Sequence, residues 1–171
     1  MATLKPAVDS KDHSQGGDSA SITIVEFGDY QCPHCGAAYP VIKEIQEAFG
    51  DQIKFIFRNF PLAEIHPFAK IAAQATEAAN VQGKYWKMHD AIFERQSHLS
   101  TNFITKLAEE LGLDVEQFLT DLNSEEVITK VEDDFESGIR SGVNGTPSFF
   151  VNGEKFDGGV TDLFEVLKES T

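Results

Sequence analysis

Cys32 and Cys35 are the only two cysteines in this chain, and they stand three apart in Cys32-Pro33-His34-Cys35. Two thiols at that spacing meet on one side of a helical turn, close enough to bridge. Only one sulfur of such a pair need meet a substrate. The exposed thiolate attacks a disulfide, and the second thiol resolves the mixed disulfide that forms. The pair follows the β-branched, apolar run Ile22-Thr23-Ile24-Val25-Glu26-Phe27 and the turn Gly28-Asp29-Tyr30-Gln31, so it falls where a strand gives way to a helix. A helix N-terminus offers free N–H groups and partial positive charge, which stabilise a thiolate at Cys32. Pro33 suits the first helical position. His34 adds a titratable source of positive potential beside the thiolate.

Two further features bear on this chemistry. Glu26 interrupts an apolar strand six residues before Cys32. If buried, its carboxyl has a raised pKa and can take or relay the Cys35 proton; the alternative is a strand edge facing water. Gly145-Thr146-Pro147 precedes the strand at Ser148, where proline is tolerated. The competing reading of the cysteines is half of a zinc site. That site would need two more ligands from His13, His34, His66, His89 and His98, none of which forms a second ligand pair. No metal and no cofactor is expected. His66 and His89 read as helix-terminal or core-edge residues.

The elements that must hold these residues follow from pattern. A helix runs from the Cys32 region to Phe49, kinked at Pro40 and stopped by Gly50. Ile53 to Phe60 is a second strand. The middle is helical: residues 66–80, 84–96, a face of Phe103, Ile104, Leu107, Ala108 and Leu111, a helix capped by Asp114 with Gln117, and one capped by Ser124 with Val127, Ile128, Val131, Phe135 and Ile139 inward. Ser148 to Val151 and Glu154 to Phe156 form a hairpin about Asn152-Gly153, and a last helix spans about Asp162 to Lys168. The order is β-α-β, helices, then β-β-α. One sheet results only if the helical block is an insertion, which gives an α/β fold. The expected divisions are a loose polar lead-in at 1–20, a sheet domain from 21–63 and 142–171, and an inserted helical domain at 64–141.

The 171 residues, 41% of them hydrophobic and fourteen of them Phe, suffice for a sizeable core. A net charge of -14 opposes nucleic acid or an anionic membrane as a partner. No apolar run reaches the ~18–20 residues of a membrane span. The charged first twenty residues contain no signal-peptide block, so the chain as written is expected in the cytoplasm; a leader removed beforehand would make it periplasmic.

The runs Ile24 to Cys35 and Gly142 to Gly153, with Arg58-Asn59-Phe60-Pro61-Leu62, His66-Pro67 and Tyr85-Trp86-Lys87-Met88-His89-Asp90, resemble the DsbA-like branch of the thioredoxin superfamily. The resemblance extends from about Ser21 to the C-terminus. It implies a thioredoxin fold with an inserted helical domain, a cis Pro147, a Thr146 that faces the disulfide and pairs with a substrate strand, and Glu26 as a buried acid. It implies thiol–disulfide exchange with protein or peptide thiols and with a further redox partner. In this superfamily the attacking pKa ranges from ~7 in thioredoxin to ~3.5 in DsbA. That difference corresponds to roughly 4 kcal/mol, or about 90 mV, and the dipeptide between the cysteines tunes it; Pro-His favours an oxidant. Thr146 is closer to the isomerases and reductases, so the direction of electron flow stays open. A metal-binding module and a glutathione-dependent isomerase or transferase of the same fold are the competing functions.

Overall fold

The computed structural model describes residues 2–170. Among them lie five strands: β1 (His13–Gly16), β2 (Ile22–Gly28), β3 (Ile53–Asn59), β4 (Ser148–Val151) and β5 (Glu154–Phe156). They form one sheet in the order β1-β3-β2-β4-β5. β2 and β3 are parallel, joined by helix α1 (Pro33–Phe49); every other pairing is antiparallel. The parallel pair is central and buried on both faces, as its continuous apolar sequence requires. Ile24, Phe55, Phe57 and Phe149 face the core shared with α1. Val25, Phe27, Ile56 and Phe150 face a second core on the opposite side.

The middle of the chain folds as α2 (Ala69–Val81), α3 (Tyr85–Glu94), α4 (Thr101–Glu110), α5 (Val115–Leu122) and α6 (Glu125–Arg140), and α7 (Val160–Ser170) packs beside α1. This is the expected α/β arrangement with helices inserted between β3 and β4. The apolar core is continuous from α1 into the helical block. Ser124 Oγ accepts from Val127 N–H at 3.2 Å, and Asp114 Oδ1 from Gln117 N–H at 3.0 Å. The Gln117 side chain donates to Asp121 instead of returning to the cap, so that box is half made. Asn152 and Gly153 both have positive φ, 49° and 86°, the backbone a tight two-residue hairpin needs.

Three expectations change. Residues 2–20 are not a loose lead-in. Leu4 is buried in the second core, and Leu4 N–H reaches Gly153 O beside β5 at 2.8 Å. The chain then crosses that face, giving the Pro6 carbonyl to Arg58, and ends as β1 against β3 at the other edge. Polar His-Ser-Gln-Gly carries no strand pattern; the β3 ladder and the His13 ring, stacked on Tyr85 at 3.8 Å and bonded to Glu77 at 2.8 Å, hold it. Ile139 is 56% exposed, because the inward stripe of α6 passes to Ser137 and Gly138 in its last turn. α2 begins at Ala69, since residues 62–68 form turns closed by His66 N–H to Leu62 O.

Candidate active site

Cys32 is the N-cap of α1, with extended backbone (φ -68°, ψ 123°), and Pro33 opens the helix. The first turn contains no carboxylate to offset the positive end of the helix. Both cysteines are free thiols. Cys32 is 4% exposed and Cys35 0%, while Pro33 and His34 are exposed. The Thr146–Pro147 peptide is cis, and Thr146 lies over the pair: while protonated, Cys32 Sγ–H donates to Thr146 O at 3.7 Å.

The two sulfurs are electrostatically unlike. A hydrogen bond from the Cys35 thiol is the largest cause that pulls Cys32 down to about 5. The Thr146 hydroxyl, buried and with no other partner, and the backbone N–H groups of Cys35 and His34 add to it, while burial opposes them. Burial pushes the Cys35 thiol far above its ordinary range, and the proximity of Cys32 and Glu26 pushes it the same way; only Asp29 N–H, which donates to Cys35 Sγ at 3.4 Å, works against this. A single thiol of the pair is therefore anionic near neutral pH.

Glu26 lies beneath the pair in β2, between Phe57 of β3 and Phe149 of β4. It is 3% exposed, which settles the choice between a buried acid and an edge residue. Desolvation pushes its carboxyl up to about 8, with a smaller contribution from Cys32. A cavity of about 10 Å³ adjoins it, lined in part by Gln15, Lys43, Gln46 and His89. Gly28 keeps this corner open: a Cβ there would meet the Phe57 ring at 2.4 Å and Glu26 Oε2 at 2.8 Å.

The histidines take separate posts. His13 bonds Glu77, His89 bonds the Tyr30 hydroxyl within an aromatic cluster at 2.8 Å, His98 lies against Phe103, and His66 bonds Asp29 at 2.7 Å. Among the described residues, no group of three or more His, Cys, Asp or Glu could hold a metal ion. No helix among them is long and apolar enough to cross a membrane.

Two residues beside the pair carry no signal in the sequence. Gln96 Nε2 donates to the Tyr30 and Cys32 carbonyls at 2.8 and 2.9 Å. It approaches over Gly36, where a Cβ would sit 2.2 Å from its side-chain oxygen. Asp29 is buried and takes bonds from outside the sheet. Both contacts join segments far apart in sequence, so no local pattern announces them.

The family model described as "Thioredoxin" matches residues 9–167. Among solved structures, BdbD from Bacillus subtilis in its oxidised form is 26% identical with a TM-score of 0.84, covering 99% of this chain and 95% of that one. A thioredoxin-like oxidoreductase from Silicibacter pomeroyi DSS-3 is 28% identical with a TM-score of 0.78, covering 95% and 93%. The thiol-disulfide exchange protein alpha-DsbA2 from Wolbachia pipientis shares the fold at 24% identity and a TM-score of 0.82, covering 95% and 89%. Curated relatives include the Na(+)/H(+) antiporter NhaA 1 of Salinispora arenicola (strain CNS-205), 38% identical over 91% of this chain and 24% of that protein. The antiporter NhaA of Herminiimonas arsenicoxydans is 39% identical over 98% and 28%. The chain thus spans about a quarter of the length of these curated relatives.

Proposed function

The chain belongs to the thioredoxin family, and on its site we propose that it is a thiol–disulfide oxidoreductase acting on protein or peptide thiols and disulfides. The observation that carries this reading is the asymmetry of the pair: Cys32 is pulled down to about 5 at a helix N-terminus, while Cys35 beneath it is held protonated.

In the reducing direction the Cys32 thiolate attacks one sulfur of a substrate disulfide. A Cys32–substrate disulfide forms, the substrate S–S bond breaks and one substrate thiolate leaves. Cys35 then gives up its proton to Glu26, whose carboxyl accepts it when ionised, and attacks Cys32 Sγ. The Cys32–Cys35 bond forms as the second substrate thiolate departs. The substrate gains two electrons and the protein loses them. Run backwards, the same steps oxidise a dithiol. Pro33 starts the helix whose N–H groups favour the thiolate, and His34 adds positive potential at the exposed rim. Thr146 and Pro147 offer main-chain pairing to an extended substrate.

A Cys32 pKa of about 5 stabilises the reduced form at pH 7 by at most about 2.7 kcal/mol, or about 60 mV, relative to an unperturbed thiol. The pair is therefore a moderate oxidant. It would rest reduced against a cytosolic glutathione pool and oxidised in an oxidising compartment, so the compartment sets the direction. Redox titration against glutathione, with each state weighed by mass spectrometry, tests this. A reversible two-dalton couple more oxidising than about -270 mV is expected. A pair that never forms the disulfide, or whose midpoint lies below that potential, contradicts the proposal.

A further inference from the structure

We infer that Asp29, held by His66, is a positioning residue that aims a backbone N–H at Cys35 and thereby speeds the resolving step. The inference rests on the thiol-exchange reading above.

Asp29 sits in the turn between β2 and α1, and its main chain touches both cysteines. Its N–H donates to Cys35 Sγ at 3.4 Å, and its carbonyl accepts from Cys32 N–H at 3.1 Å. Its carboxylate is fully enclosed by donors. Oδ1 accepts from Gln31 N–H at 2.8 Å, and Oδ2 accepts both Leu62 N–H at 2.9 Å and His66 Nδ1 at 2.7 Å. A carboxylate only accepts, so Nδ1 of His66 carries the proton in this bond. Leu62 and His66 belong to the turns after β3, which Phe60 N–H fastens to Gly28 O at 2.8 Å. The Asp29 peptide is thus held from a segment 33 to 37 residues away.

Of the two sulfurs, Asp29 N–H meets that of Cys35. That sulfur is buried, and its burial is the largest cause opposing its ionisation. Hydrogen bonds to a charged acceptor are about twice as strong as neutral ones, so Asp29 N–H strengthens as Cys35 loses its proton. Cys32 draws on other donors: the Cys35 thiol, the Thr146 hydroxyl and the N–H groups of Cys35 and His34. A loosened Asp29 should therefore slow resolution and spare the first attack.

Asparagine is the informative replacement. Three donors converge on the carboxylate, and whichever way an amide turns, its NH2 faces at least one of them. His66 is partly exposed, so His66→Ala is the gentler cut; His66→Asn keeps a short donor near the Nδ1 position.

The test mixes reduced protein with oxidised glutathione, quenches in acid, and follows two species by mass. Attack by Cys32 gives the Cys32–glutathione adduct and one glutathione thiolate. Resolution forms the Cys32–Cys35 disulfide, breaks the adduct bond and frees the second. Asp29→Asn should form the adduct within about twofold of the parent rate and resolve it about tenfold more slowly, the equivalent of about 1.4 kcal/mol. His66→Ala should slow resolution about threefold, and His66→Asn should recover most of that. The pair of changes together should be no worse than Asp29→Asn alone, because both act through one contact. Variants that resolve at the parent rate, or that slow both steps by one factor, overturn the inference. If Asp29→Asn does not fold, His66→Ala and His66→Asn decide by the same criteria. A parent that forms neither the Cys32 adduct nor the Cys32–Cys35 disulfide instead overturns the thiol-exchange reading itself.

Discussion

Glu26→Gln should make the oxidised protein more stable, and by an amount that grows with pH. In the unfolded chain a glutamate gives up its proton near 4.5, whereas in the fold burial pushes Glu26 up to about 8. Between those values the native state holds a proton that the unfolded state has lost. Stability must therefore fall as pH rises, by about 1.36 kcal/mol per unit from this group. The penalty is absent below 4.5 and reaches at most about 3 kcal/mol at pH 7, since the disulfide removes the smaller contribution of Cys32 and leaves that of burial. Glutamine has nearly the same shape and never ionises, so the difference between variant and parent should trace that curve. The oxidised form is used because the disulfide removes the Cys32 titration, whose sign is opposite: a depressed thiol pKa adds stability as pH rises through 5. Urea melts of both proteins from pH 4.5 to 8.5 measure it. A difference independent of pH, or a parent more stable than the variant at pH 7, would refute the buried-acid argument. Thiol exchange should meanwhile slow in the variant, since the carboxyl that can relay the Cys35 proton is gone.

Three other outcomes follow from the site. At pH 6, iodoacetamide should label Cys32 of the reduced native protein while Cys35 stays protected, as peptide mapping would show; faster labelling of Cys35 would reverse the assigned roles. His34→Ala removes a ring from the exposed rim but leaves its backbone N–H, so the potential should fall by about 10–30 mV in a glutathione titration, and an unchanged potential would show that the ring does not tune the pair. Gly36→Ala drives a methyl into Gln96 and should cost about 1–3 kcal/mol in a denaturant melt, with Gln96→Ala in the same chain recovering part of it; a neutral Gly36→Ala would mean that the Gln96 hooks are dispensable.

Local chemistry was readable, and tertiary contact was not. The β2–α1 junction, the Asn152-Gly153 hairpin and the caps at Asp114 and Ser124 each declare themselves within a few residues. Glu26 stood out because a charge in a two-sided apolar strand is costly, but only the sheet around it decided which way it faced. β1 was hidden because an edge strand of polar residues owes its shape to the ladder it joins. His66 looked like a helix-start residue, and its bond to Asp29 depends on how the β3 exit folds back over the site. Gln96 is one polar residue among many in the helical block; only its approach to the Tyr30 and Cys32 carbonyls distinguishes it.

The division of labour between the two thiols is tested most directly by trapping. Cys35→Ser leaves the Cys32 thiolate in place and removes the group that would release a bound substrate. Incubated with a peptide disulfide and analysed without reductant, this variant should accumulate a covalent adduct at Cys32 that dithiothreitol dissolves. Cys32→Ser should accumulate none and should fail to reduce insulin. Equal trapping by the two variants, or adducts at Cys35 in the Cys32→Ser protein, would contradict the account.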